Sequence, residues 1–194
     1  EVGMQGMTSD FLYVGYYNVP KLVELYTTGG VCLRTGRRVE AVHSPGLAAF
    51  SDFESFYRGL IDEFRRILDI SHGALDIASE SAGRYRPSYL ISSMIDDCLE
   101  RGRNMHRGGA RYHDYGATPF GIPNAADYLY AIRRAVFEEG FCTADELIAA
   151  LRADFSGYEA LQHRLRAIPK YGSEDAEADG LAAHVIRAVL LARA

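Results

Sequence analysis

The chain has 194 residues, a comfortable length for one domain and tight for two. Hydrophobic residues make up 48% and charged ones 24%, the balance of an ordinary globular protein. Lys plus Arg is 21 against 26 for Asp plus Glu, a net charge of −5 that argues against a nucleic-acid binder built on phosphate contacts, and no apolar run approaches the roughly 20 residues needed to span a bilayer.

The chain opens on Glu1 with no basic-then-apolar leader, so the expectation is a processed chain or a piece of something longer, not a secretory precursor. Phe11 to Tyr17 is the first strand candidate, and Tyr13, Tyr16, Tyr17 and Tyr26 around it read as packing residues. The basic residues are almost all Arg, with Lys only at 21 and 170. Thr35 to Gly46 reads as a polar loop. Ser51-Asp-Phe-Glu54 has the form of a capping box, and apolar residues from Phe53 to Leu75 recur at three- and four-residue steps. That pattern predicts a long helix to about Ser81, with a bend at Gly73. Pro87 is placed to open the next helix, through Leu90, Ile91, Met94, Ile95 and Cys98, with Gly102 to stop it.

Further strands are expected at Ala110 to Tyr115 and Thr118 to Ile122. Helices follow over Asn124 to Glu139, after the capping boxes at Thr143 and Ser156, and from Ala178 to the C-terminus. Pro169 to Asp175 reads as a loop. Three short strands among long helices do not close a sheet, so the domain is either essentially all-α or completes its sheet with sequence absent here.

The densest run of unusual residues is Arg101 to Asn124. Its double glycine, Gly108-Gly109, permits close backbone approach ahead of a strand. The run reads either as a site loop feeding a strand that faces a pocket, or as a tight helix-to-strand connection with a basic rim. His113 and Asp114 are adjacent, so a strand would point them to opposite faces, and with His106 they make no metal site. His72, His163 and His184 sit in helices and read as structural. Cys32, Cys98 and Cys142 are far apart and odd in number, which argues against a disulfide framework and for a reducing, cytoplasmic setting. No phosphate-binding loop or nucleophile elbow is present. The residues alone give no enzyme class.

The order of motifs is more informative. Ile95-Asp-Asp-Cys-Leu-Glu-Arg-Gly102, Gly108-Gly-Ala-Arg-Tyr112 and Asn124-Ala-Ala-Asp-Tyr-Leu-Tyr-Ala-Ile132 resemble the pyruvate formate-lyase-like domain of the glycyl radical enzymes. So do Leu147-Ile-Ala-Ala-Leu151, Phe155-Ser-Gly-Tyr-Glu159 and Pro169-Lys-Tyr-Gly172 in the later part of the chain. Upstream, Tyr17-Asn-Val-Pro-Lys-Leu-Val-Glu-Leu25 and Gly29-Gly30 are similar to the segment after the family's active-site cysteine.

The resemblance implies an α/β fold, with residues 1–194 a helix-rich C-terminal part of the catalytic barrel lacking the glycyl radical domain. It implies a lyase of dehydratase or decarboxylase type, cleaving a C–O, C–C, C–N or C–S bond through a thiyl radical in anaerobic metabolism. The glycyl radical would be installed by a radical-SAM activating enzyme, with no cofactor bound by this chain itself. Implied partners are a small-molecule substrate, the rest of the barrel, the glycyl radical domain, the activating enzyme and a second copy of the parent, with neither nucleic acid nor membrane.

The family's Gly-Cys-x-Glu loop would place its cysteine two residues before Glu1, and no Arg-Val-x-Gly-Tyr radical motif follows Ala194, so the chain alone is expected to be inactive. By that resemblance Glu1 is a catalytic general acid/base. After it, many relatives carry Val-Pro-Gly-Lys where this chain has Met4-Gln5-Gly6-Met7. Thr118, Phe120 and Ile122 are the expected substrate-binding residues, Phe120 placing a ring where many diol- and choline-cleaving relatives have small residues. The alternatives are a transferase, formate C-acetyltransferase, which uses two adjacent cysteines at a position outside this chain, and a non-catalytic helical interaction domain.

Overall fold

The computed structural model describes residues 7, 12–113 and 115–192; Glu1, the stretch 4–6, Phe11 and Asp114 lie outside the described residues. Helix dominates, as expected. In chain order the elements are β1 (Leu12–Asn18), α1 (Val19–Thr27), α2 (Phe53–Tyr85), α3 (Tyr89–Ser92), α4 (Cys98–Arg101), β2 (Tyr115–Phe120), α5 (Ile122–Ile132), α6 (Ala144–Arg152), α7 (Glu159–Ala167) and α8 (Ala176–Leu190). β1 and β2 pair in a two-stranded sheet. The chain separates into two compact units, residues 1–17 with 68–118 and residues 18–67 with 119–194.

The larger unit is built around α5, which packs against α1 and α8. Ala125, Ala126, Leu129, Tyr130 and Ile132 are all buried along it. Leu22, Val23, Leu25 and Tyr26 of α1 and Ala178, Ala182, Val185 and Val189 of α8 bury their own stripes. An aromatic group closes the core: Phe56 on α2 lies 5.6 Å from Tyr26, 5.4 Å edge-on from Phe50 and 6.4 Å from Phe137, ring centre to ring centre. The loop at 35–46 is tied to α2 through Glu63, whose carboxylate accepts from His43 N at 2.8 Å and pairs with Arg66 at 2.6 Å. Burial raises the Glu63 pKa, but the Arg66 and His43 bonds outweigh it and the net direction is down.

The smaller unit has a short apolar cluster, Cys98, Met105 and Ala110 with Ile95 against it. Polar bonds organise the rest. Asp97 takes a left-handed backbone (φ 72) and its carboxylate meets Arg101 at 2.9 Å and Arg111 at 2.8 Å. Arg101 also donates to Ala110 O at 2.8 Å. Gly109 packs against the backbone of Arg103 and Asn104 because it lacks a side chain: a Cβ there would lie 2.1 Å from Arg103 O. Tyr112 N then donates to Met7 O at 3.0 Å, tying the start of the chain to this clasp.

Several boundaries differ from the sequence expectation. α2 is capped by Asp52, which accepts from Ser55 N at 2.8 Å, with Ser51 bonding to the Asp52 carboxylate instead of the helix. The helix runs through Gly73 to Tyr85. No continuous helix joins Pro87 to Cys98: Ser92 Oγ accepts from Met105 N and Ser93 Oγ donates to Leu90 O, bonds that compete with helix continuation. Leu90, Ile91 and Met94 are consequently exposed. Of the strand expected from Ala110 to Tyr115, residues 110–113 lie outside β2, with Arg111 held by Asp97, and the strand begins at Tyr115.

The helix expected over 124–139 becomes α5 followed by a π-helical turn, Arg133–Glu138, whose wider spacing pairs Arg133 with Glu138 and Arg134 with Glu139 five residues apart. Thr143 caps α6 as its box predicts, accepting from Glu146 N. Ser156 caps nothing; it lies in a turn where Asp154 and Phe155 have positive φ, and Glu159 reaches back to Gly157 N.

Two outcomes follow for stability. Phe56 is fully buried and Ile77 is 71% exposed; Phe56→Ala should cost about 3–5 kcal/mol in urea unfolding and Ile77→Ala no more than about 0.5 kcal/mol. The bond from Arg111, aided by the nearby Arg111 and Arg101 charges, holds the Asp97 pKa down against its desolvation. A lowered folded-state value means the contribution is complete above the unfolded carboxylate value and is lost as pH falls through the folded one. Asn tolerates the left-handed backbone, so Asp97→Asn removes the charge alone. The melting-temperature gap between wild type and Asp97→Asn should therefore narrow as pH falls below about 4.

Candidate functional site

Both strands run directly into helices. β1 ends at Asn18, whose side chain accepts from Lys21 N at 3.0 Å and starts α1; β2 ends at Phe120 and turns through Gly121 (φ 71) into α5. Each helix carries a proline in its first turn, Pro20 and Pro123, where the missing N–H costs nothing. The junctions abut: a Cβ on Gly121 would meet Pro20 Cγ at 2.7 Å. Strand ends feeding helices are where α/β folds present side chains to ligands.

Of the expected site residues, Glu1 lies outside the described residues. Thr118 and Phe120 alternate on β2 and so share a face; both are exposed, Phe120 by 43%. Ile122 does not extend that face. It is the first residue of α5, half-buried, because Gly121 turns the chain out of the strand before it.

The motifs of the sequence analysis are joined by side-chain carboxylates that accept from backbone N–H groups. Asp127 accepts from Tyr171 N at 2.8 Å, joining Asn124-Ala-Ala-Asp127 to Pro169-Lys-Tyr-Gly172, and Asp179 accepts from Gly172 N at 2.8 Å. The Asp-Asp and Gly-Gly-Ala-Arg-Tyr motifs form the clasp around Asp97. Among the described residues no group of three or more His, Cys, Asp or Glu side chains is placed to hold a metal ion. His106 and His113 instead face serines, Nε2 lying 3.4 Å from Ser88 and Ser79 respectively. No helix of the described residues is long and apolar enough to cross a membrane.

The larger unit also has a mainly apolar, open cleft of about 700 Å³, lined by residues of α1, α5, α6 and α7. On its α1 wall is a polar cluster the sequence did not reveal. Lys21 Nζ lies 2.5 Å from Glu24 Oε1 and 3.1 Å from Cys32 Sγ, and Glu24 also accepts from Leu33 N at 2.8 Å. Bonds from Thr35 and Lys21 hold the Cys32 thiol at about 7, well below its ordinary range. Lys21 and Glu24 share a helix face at three-residue spacing, a readable signal, but Cys32 reaches them only because the chain turns back after α1.

The chain matches the pyruvate formate lyase-like family over residues 1–191. It is 29% identical over 179 residues to the trans-4-hydroxy-L-proline dehydratase of Clostridioides difficile, covering 92% of this chain and 23% of that protein. It is 26% identical over 178 residues to the isethionate sulfite-lyase of Desulfovibrio desulfuricans, covering 89% and 21%. The crystal structure of the Clostridioides difficile hydroxyproline dehydratase with trans-4-hydroxy-L-proline bound superposes with a TM-score of 0.87 at 28% identity, over 98% of this chain and 24% of that one. The chain thus spans less than a quarter of the length of these relatives. With its family motifs in order and the helix-rich barrel-segment fold reproduced, the chain belongs to the pyruvate formate lyase-like glycyl radical enzymes.

Proposed function

We propose that residues 1–194 are the C-terminal part of the catalytic barrel of a glycyl radical lyase, one that cleaves a C–O or C–S bond of a small molecule. The observation that carries this reading is the match along nearly the whole chain to a dehydratase and a sulfite-lyase. These relatives favour a lyase over an acetyltransferase. The reading includes a cytoplasmic parent, completed by the remaining barrel and a glycyl radical domain, paired with a second copy and activated by a radical-SAM enzyme.

A glycyl radical supplies hydrogen-atom abstraction through a cysteine thiyl, and this chain contributes what surrounds that chemistry. Glu1, in this reading, moves a proton, taking it from a hydroxyl or giving it to a leaving group. Thr118 and Phe120 line the substrate cavity from their shared strand face, and Ile122 closes it from the first turn of α5. An aromatic ring there takes up volume and favours an apolar or planar substrate edge.

Incubated anaerobically with an activating enzyme, this polypeptide should show no glycyl radical by electron paramagnetic resonance; a signal on the chain itself would refute the assignment. In the full-length parent, Phe120→Ala should shift substrate preference while lowering stability by less than the about 3–5 kcal/mol of a closed-core ring. A large drop in melting temperature with an unchanged substrate profile would remove Phe120 from the cavity.

A further inference from the structure

Three reactive groups meet at Lys21. Its Nζ touches Cys32 Sγ at 3.1 Å on one side and Glu24 Oε1 at 2.5 Å on the other. The geometry is fixed from both ends. Lys21 and Glu24 stand on α1, while Cys32 is held by its own backbone, N donating to Arg37 O at 2.9 Å and O accepting from Gly36 N at 2.8 Å. Cys32 is 8% exposed, yet Lys21, Glu24 and Leu33 beside it line the 700 Å³ cleft. Thr27 lines the same cleft; it is 2% exposed and its hydroxyl has no partner, so a small polar molecule entering there finds a hydrogen-bonding group.

We propose that Lys21 and Cys32 form an oxidative cross-linking site, at which hydrogen peroxide joins Sγ to Nζ as a sulfenamide. The thiolate sulfur attacks one peroxide oxygen and the O–O bond breaks. With the ammonium as proton source, this leaves a sulfenic acid, a neutral amine and one water. The amine then attacks sulfur, forming the S–N bond as the S–O bond breaks and a second water leaves. Overall, thiolate, ammonium and one peroxide give the sulfenamide and two waters; sulfur loses two electrons and peroxide gains them.

Glu24 serves both steps. It holds Nζ against Sγ, and it relays the proton the amine sheds on bonding to sulfur to the departing hydroxyl, which leaves as the second water. The low Cys32 pKa supplies thiolate at neutral pH, whereas burial pushes the Cys98 and Cys142 thiols up. Those two cysteines are internal controls in the same molecule.

The test is peroxide treatment of the full reduced chain, followed by proteolysis and mass spectrometry. The expected product links the Lys21 and Cys32 peptides with the loss of two hydrogens, is reversed by a thiol reductant, and forms at least about tenfold faster than Cys98 or Cys142 oxidises. A link carrying one more oxygen, made by a second peroxide with release of another water, joins the same residues and supports the site equally. Lys21→Arg, which keeps a cation beside Glu24, should abolish the link and let Cys32 proceed to sulfinic acid while the other two thiols stay unchanged. Sulfinic acid at wild-type Cys32 with Lys21 still open to acylation, or equal oxidation of all three thiols, would overturn the proposal.

Discussion

The larger unit depends on how closely two other helices can approach α5. A helix normally buries one stripe, but α5 packs against both α1 and α8 and is apolar on more than one side. Ala125 and Ala126, both essentially inaccessible, provide the close contact, and Leu129 and Tyr130 fill the space one turn on. Tyr130 also keeps a polar tip, its hydroxyl lying 3.2 Å from both Glu177 and Arg134. That arrangement lets a buried ring satisfy its oxygen at the rim of the core. At the other end of α5, Gly121 admits Pro20 where any side chain would collide, so the α1 junction can lie against it.

The smaller unit solves the opposite problem, too little apolar surface to define a structure. Its cluster of Cys98, Met105 and Ala110 is small, and charge-assisted bonds replace volume. Asp97 draws Arg101 and Arg111 to one carboxylate, and Arg101 spans onward to Ala110 O. Such bonds are directional, which explains why the segment follows a fixed irregular path instead of a strand. It also explains why residues with helical spacing, Leu90, Ile91 and Met94, end up on the surface.

Family identity and chemistry are carried by different residues. The motifs that make the chain recognisable, Asp96-Asp97, Gly108 to Tyr112, Asn124 to Asp127 and Pro169 to Gly172, are the ones whose side chains or missing side chains join distant backbone segments. A side chain that must reach a particular backbone N–H has few substitutes of the same length and chemistry. Thr118 and Phe120, the positions proposed to touch substrate, take no part in those bonds between motifs.

Much was legible in the sequence because it rests on local physics. Helical periodicity located α2, α5, α6 and α8, the Thr143 cap was readable from one hydroxyl and its spacing, and the ordered motifs identified the family. What the sequence left open depends on contacts between residues far apart along the chain. The Ser51 hydroxyl fits the pattern of a cap, but in the folded chain it is the Asp52 carboxylate that accepts from Ser55 N. Ile122 alternates with Phe120 on paper, but Gly121 takes a positive φ against Pro20 and ends the strand. The Lys21–Cys32 contact is the clearest case. The ten residues between them show a helix but not where the chain goes after it, and only the turn after α1, which closes Cys32 back onto the helix, brings a thiol and an ammonium within 3.1 Å.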